Sequence, residues 1–159
     1  YGKQCWILLD TVLDTMNFMF NPDYPEIPQL NIEKSEFIDK LLEHPLARLR
    51  FIAHVEAEQN IDLLQFYEGF RNAKLNNDPG QLTDLYSIYL KKHAEKEIGV
   101  PKLLLETLDS TESVGTSDVS AFTPVSDYVR QLLVDGSLTR FLQSTAIVDV
   151  VNLMPEYFD

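Results

Sequence analysis

Leu132-Leu-Val-Asp-Gly-Ser-Leu-Thr-Arg-Phe-Leu-Gln-Ser144 reads as two helices meeting at a corner. Val129, Leu132 and Leu133 supply the apolar face of the first helix. Gly136 is expected to stop it in the left-handed conformation, and Ser137 to cap the helix that follows. Leu138, Phe141 and Leu142 give that second helix its buried face, with Arg140 turned toward the corner. A polar corner between two packed helices is a surface that a partner can read.

Outward from this corner the spacing stays helical. Upstream, Phe122, Val125, Val129 and Leu132 recur at helical intervals, and downstream a last helix is expected around Ile147, Val148, Val151 and Leu153. Residues 109–120 are rich in Ser, Thr, Asp and Glu and are expected as an exposed loop. Pro101, after Gly99-Val100, suits the start of a helix through Leu108. Leu82, Leu85, Tyr86, Ile88 and Tyr89 mark a helix running to about Lys96, preceded by the turn Asn76-Asn-Asp-Pro-Gly80. Asn60 is a candidate cap for the helix that buries Ile61, Leu64, Phe66, Tyr67 and Phe70. Leu46, Leu49, Phe51, Ile52 and Val55 form the face of the helix opened by Pro45, and Phe37, Ile38, Leu41 and Leu42 that of the helix stopped at His44. At the start of the chain Trp6, Leu9, Leu13, Met16 and Phe20 give a broadly apolar helix that must pack on something. The prolines at 22, 25 and 28 then make residues 21–33 an extended connector. No run alternates β-branched residues convincingly, so the fold class is all-α.

Composition narrows the functions. A chain of 159 residues with 45% hydrophobic content is expected to form one compact domain. Its 13 Lys and Arg stand against 25 Asp and Glu, a net charge of −12. Most of that surface repels a nucleic-acid backbone or an anionic leaflet, so a protein with a neutral or positive patch is the expected partner. One cysteine, Cys5, allows no internal disulfide, and His44, His54 and His93 are too scattered to suggest a metal cluster. A reducing, cytoplasmic setting is the expectation, at the cytosolic face of a membrane where a larger parent protein places it. No apolar run approaches the ~20 residues of a membrane span. The chain begins at Tyr1 and reads as a fragment of a longer protein.

The residues call for no catalysis of their own. A nucleophile elbow, a phosphate-cradling glycine loop and a zinc-protease pair are absent from the sequence. Glu56 and Glu58 could form a carboxylate pair, but at a helix end they read as solvated. The loop from Asp109 has its glycine at the seventh place and no closing glutamate, so it fails as a calcium loop. Cys5 beside Trp6 reads as a small buried hydrophobe rather than a lipid acceptor. No cofactor or metal is expected.

The order of landmarks is more specific. Leu41-Leu-Glu-His44 precedes Phe51, then Glu58 to Leu64 and Phe66-Tyr67. Ile88-Tyr89 leads to Ala94-Glu-Lys-Glu-Ile98, then to Phe122, Val129 and Ser137-Leu-Thr-Arg-Phe-Leu-Gln-Ser144. This pattern resembles the regulator of G-protein signalling (RGS) domain over residues 35–153, with 1–34 as N-terminal helix and connector and 154–159 as a tail. Leu64-Gln-Phe-Tyr-Glu68 is also similar to the RGS-homology domain of G-protein-coupled receptor kinases. The resemblance implies a bundle of about nine helices with the apolar first helix packed on it. It also implies a partner, the activated α subunit of a heterotrimeric G protein (Gα). In accelerating members the nucleotide, magnesium and catalytic glutamine all belong to Gα, and the domain holds the switch regions in their transition-state arrangement.

Carried over residue by residue, the resemblance implies a Gα-binding surface of Glu58, Asn60, Asp62, Leu63, Gly99, Leu132, Gly136, Ser137 and Arg140. Glu58, Leu132, Ser137 and Arg140 match the family, and Asn60 and Asp62 stand at a small polar and an acidic position. Three depart. An ungapped reading puts Leu63 at the asparagine that touches the switch carrying the catalytic glutamine, unless a local gap brings Asn60 there. Gly99 replaces a second asparagine, and Gly136 an aspartate. Three of the nine positions also have a plainer reading: Arg140 pairs with a helix-end carboxylate or caps a carbonyl, Leu63 is core, and Asp62 serves the helix dipole. Two functions follow, an accelerator of Gα hydrolysis weakened by these departures, or a non-accelerating interaction module of a larger protein. A homodimer through the first helix is compatible with either.

Overall fold

The computed structural model describes residues 28–109 and 119–159. The expected first helix, and with it part of the expected helix count, lies outside the described residues, as does most of the 109–120 loop. Among the described residues the chain is helical, as the periodicity predicts, and its extended pairing is one isolated antiparallel bridge between Leu30 and Phe158. No described helix is long and apolar enough to cross a membrane.

Helix α1, Lys34–Glu43, buries Phe37, Ile38, Leu41 and Leu42. It stops where His44 turns extended, and Pro45 opens α2, Pro45–Ala57, where a missing N–H costs nothing. His44 Nδ1 accepts from the Ala47 N–H at 3.2 Å, satisfying one of the orphan donors of the new helix. Ala47, Phe51 and Val55 are buried, but Leu46 and Leu49, expected on the same face, are 57% and 58% exposed. The inward stripe of α2 is set by the four-residue spacing of those three residues, and Leu46 and Leu49 fall beside it.

Helix α3, Ile61–Asn76, buries Leu64, Phe66, Tyr67, Phe70 and Ala73 and ends at left-handed Asn77. Asp78 then caps α4, Pro79–Leu85, accepting from the Gly80 and Gln81 N–H groups at 3.0 and 3.4 Å. The helix continues as a π-helical stretch, Tyr86–Leu90, and stops there rather than at Lys96. Lys91 is extended and His93 left-handed. The chain folds back, with the Lys96 N–H donating to the Ile88 carbonyl at 3.1 Å and the Ile98 N–H to Tyr89 at 2.9 Å. That return buries Ile98, which a straight helix would leave outside. Helix α5, Lys102–Asp109, begins after Pro101.

Helix α6, Val119–Leu133, runs into a second π-helical stretch, Val134–Leu138, followed by α7, Thr139–Leu142, then α8, Ile147–Leu153, and a 3-10 turn, Pro155–Tyr157. This corrects the expected corner. No described glycine takes a positive φ, so Gly136 does not stop the helix in the left-handed conformation. Ser137 lies inside the π turn instead of at a cap. The cause is the spacing of the buried residues: Val129, Leu133 and Ser137, and alongside them Val134 and Leu138, repeat every four positions. Four exceeds the 3.6 residues of an α turn, and a wider π turn takes up the surplus while the stripe stays inward.

The described residues gather into two compact units, the first of residues up to Arg50 with Thr139–Asp159 and the second of Phe51–Leu138. In the first unit Phe37 is fully buried, with the rings of Tyr157 and Phe158 set edge-on at 6.0 and 5.6 Å. Backbone bonds from Asn31 N to Tyr157 O and from Asp159 N to Gln29 O, both 2.9 Å, tie the connector to the last residues. Arg50 of α2 lies 3.8 Å from Asp149 of α8. In the second unit Phe66 meets Tyr89 edge-on at 5.9 Å and Phe70 stacks on Phe122 at 6.5 Å. Gly69 lets α3 approach α4: a Cβ there would stand 2.7 Å from a Leu85 methyl.

Candidate functional site

The second unit assembles most of the sequence-selected residues. Its α2–α3 turn, with Gln59 left-handed at φ 62°, carries Glu58 and Asn60. Asn60 occupies the cap position of α3 but its side chain makes no cap bond. It reaches across 77 positions of sequence, donating from Nδ2 to Ser137 Oγ at 3.4 Å. Ser137 is only 2% exposed, so the amide supplies a buried hydroxyl with a partner. The π turn delivers that hydroxyl to the turn between two other helices.

Asp62, in the first turn of α3, lies close enough to Tyr89 to act on it. Burial first, and the Asp62 carboxylate second, push the Tyr89 phenol above its ordinary value. Tyr89 Oη and Lys96 Nζ both donate to Gln65 Oε1, at 3.5 and 3.3 Å. These bonds fasten the folded-back segment after Leu90 to α3, and Gly99 follows three residues beyond Lys96. Gly99 is exposed, and a Cβ added to it would meet nothing within 4 Å.

The remaining selected residues are placed less tightly. Glu58 turns to His54, with Oε1 3.1 Å from Nε2, an i,i+4 pair at the end of α2. Leu63 is half-buried, one turn into α3. Leu132 is 38% exposed on the outer side of α6, whereas its neighbour Leu133 is buried. Gly136 is half-buried, beside Asp135, which accepts from Gln131 Nε2 at 2.8 Å. Arg140 is exposed on α7 and belongs to the first unit. In that unit Lys34 Nζ donates to Thr139 Oγ1 at 3.3 Å.

Reading the sequence alone misses two features. The spacing of His54 and Glu58 was visible as an i,i+4 pair. The Gln65, Tyr89 and Lys96 cluster had no local signal, because it depends on the chain reversing after a π turn. Chemically the arrangement offers amide and carboxylate groups at the surface, with the Ser137 hydroxyl buried and bonded to Asn60. It suits hydrogen bonding to another polypeptide better than bond-making.

The family model described as "Regulator of G protein signaling domain" matches residues 38–147, well over half of the chain. A curated human protein, Regulator of G-protein signaling 18 (Homo sapiens), is 24% identical over 133 residues. That match covers 81% of this chain and 56% of the relative, so the chain spans little more than half the length of that protein.

Proposed function

Since the chain belongs to the regulator of G protein signaling domain family, we propose that it binds the switch regions of an activated Gα subunit and accelerates GTP hydrolysis by that subunit, at reduced strength. The family regulates GTPases, and the hydrolytic groups are the partner's. The domain contributes by binding the transition-state arrangement of the switches more tightly than the ground state. It acts in the cytoplasm, where that partner is met.

The observation that carries this reading is the bond from Asn60 to Ser137. It supports Asn60, rather than Leu63, as the amide that meets the glutamine-bearing switch, because Asn60 stands at the open turn beside Ser137 while Leu63 lies farther along α3. On this reading the departure at Leu63 no longer weakens the accelerating pattern. Glu58, Asp62, Leu132 and Gly136 line the same unit, and Arg140 follows on α7. Single-turnover hydrolysis by Gα subunits, with and without saturating domain, tests the proposal. Acceleration is expected, and an unchanged rate at saturation would sink it.

A second reading, an interaction module that binds without accelerating, is favoured by Gly99 and Gly136, where no side chain is available to order a switch. The two differ in nucleotide preference. An accelerator binds Gα loaded with a transition-state mimic more tightly than Gα with GDP, and a scaffold docking elsewhere binds both alike.

A further inference from the structure

We propose, resting on the Gα reading above, that Lys91 and Lys92 form a basic rim that draws the domain onto an acidic strip of the partner beside the switch that meets Gly99. Four of the chain's 13 lysines and arginines fall within Lys91–Lys102 against two glutamates, so this segment is net positive in a chain of net charge −12. Among the described residues no carboxylate stands within ion-pair distance of Lys91 or Lys92, whereas Lys40 and Arg50 have Glu43 and Asp149 at 4.0 and 3.8 Å.

The fold holds these two charges on a braced turn. The Ala94 N–H donates to the Lys91 carbonyl at 2.9 Å, closing a turn with Lys92 and His93 at its tip. Lys91, Lys92 and His93 are all exposed. His93 is left-handed at φ 64° and its N–H donates to Glu97 Oε2 at 3.1 Å, so one of the two glutamates is drawn back onto the loop and Glu95 is the opposing charge that remains. The Lys91 N–H is bonded to the Tyr86 carbonyl at 2.8 Å on one side of the turn, and the bonds of Lys96 and Ile98 to Ile88 and Tyr89 fasten the other.

The sign of the surroundings selects the partner. An anionic leaflet is broad and flat and would meet the acidic remainder of the chain along with the turn, whereas a polypeptide can set a few carboxylates opposite the lysines alone. Screening over about 8 Å at physiological salt confines the attraction to groups that dock beside the turn. Gly99 lies three residues past Lys96 on the same braced segment, which puts the lysines at the rim of the proposed Gα surface. Rim charges act mainly on the rate of association.

Stopped-flow association with Gα carrying GDP and aluminium fluoride tests this, using the Gα subunit that binds the unaltered chain tightest. The unaltered chain is expected to associate about tenfold faster than the Lys91→Glu, Lys92→Glu variant at about 0.01 M salt, with the gap narrowing by about 0.15 M and dissociation little changed. The Lys91→Ala, Lys92→Ala variant falls between them. Lys40→Glu, Lys74→Glu changes the net charge equally at exposed positions on α1 and α3 and keeps a rate near that of the unaltered chain. A Lys91→Glu, Lys92→Glu variant no slower than this control overturns the inference and leaves the Gα reading standing. No binding by the unaltered chain overturns both. Retention of the unaltered chain on phosphatidylserine vesicles, lost in Lys91→Glu, Lys92→Glu while both associate equally with Gα, assigns the lysines to a membrane and overturns the inference as well.

Discussion

At the scale of single residues, the amide of Asn60 has two tasks that can be separated. Its bond to Ser137 is long, so losing it costs stability about 1 kcal/mol or less. Its contact with the partner matters more: Asn60→Ala is expected to lower the acceleration of Gα hydrolysis roughly tenfold, about 1.4 kcal/mol of transition-state stabilisation. A thermal melt beside a single-turnover assay checks both, and an unaffected rate would remove Asn60 from the interface. Gly99 offers the converse. Its backbone is not left-handed and space surrounds its Cα, so Gly99→Asn should fold normally and restore a hydrogen bond worth about 1 kcal/mol, roughly a fivefold gain in acceleration. No gain in the same assay would count against the placement of Gly99 at the partner. Tyr89 gives a pH dependence. Its raised folded value means the folded chain retains a proton that the unfolded chain releases above the ordinary tyrosine value of 10.0. Stability from this source is intact below that value and is lost as the pH rises through it. Denaturant midpoints from about pH 9 to about pH 11 should therefore fall less steeply for Tyr89→Phe, and identical slopes would refute the assignment.

Among the elements, helix positions were legible where apolar spacing, prolines and caps agreed, as at His44-Pro45 and Asn77-Asp78-Pro79. They were misjudged where a helix widened. Asp135-Gly136-Ser137 has the composition of a helix stop, and local chemistry alone favours that reading. Burial on a four-residue repeat overrides it, and such a repeat shows its effect only when the surrounding core is known. The same limit explains why Ile98 was not seen as core and why Asn60 and Ser137, both selected, were not paired in advance. A test follows. Deleting Gly136 returns the buried positions to α-helical spacing and removes a residue that costs a helix about 0.5–1 kcal/mol. The shortened chain should keep its helical circular dichroism and melt close to the parent. Unfolding on deletion would mean that Gly136 is not a surplus residue and would overturn this account of the π turn.

For the molecule as a whole, net charge and composition set only the expectation of a protein partner, and the expected partner face came from the family resemblance alone. What the composition could not indicate is how residues 28–33 and 154–159 are held. Read as connector and tail, they are bonded to each other through the backbone, and Tyr157 and Phe158 of the tail pack edge-on against Phe37: replacing Phe37 by Ala should cost about 3–5 kcal/mol, the usual penalty for a buried aromatic, visible as a lower denaturant midpoint. The pairing of Gln29 and Asn31 with Asp159 and Tyr157 has a mechanical consequence as well. The two segments run antiparallel, so a load drawn between residue 28 and Asp159 peels them apart like a zip. Each hydrogen bond bears the force alone, the Asp159–Gln29 bond before the Asn31–Tyr157 bond. Tension between these two segments would thus open this seam at a force far below that needed to shear the helices.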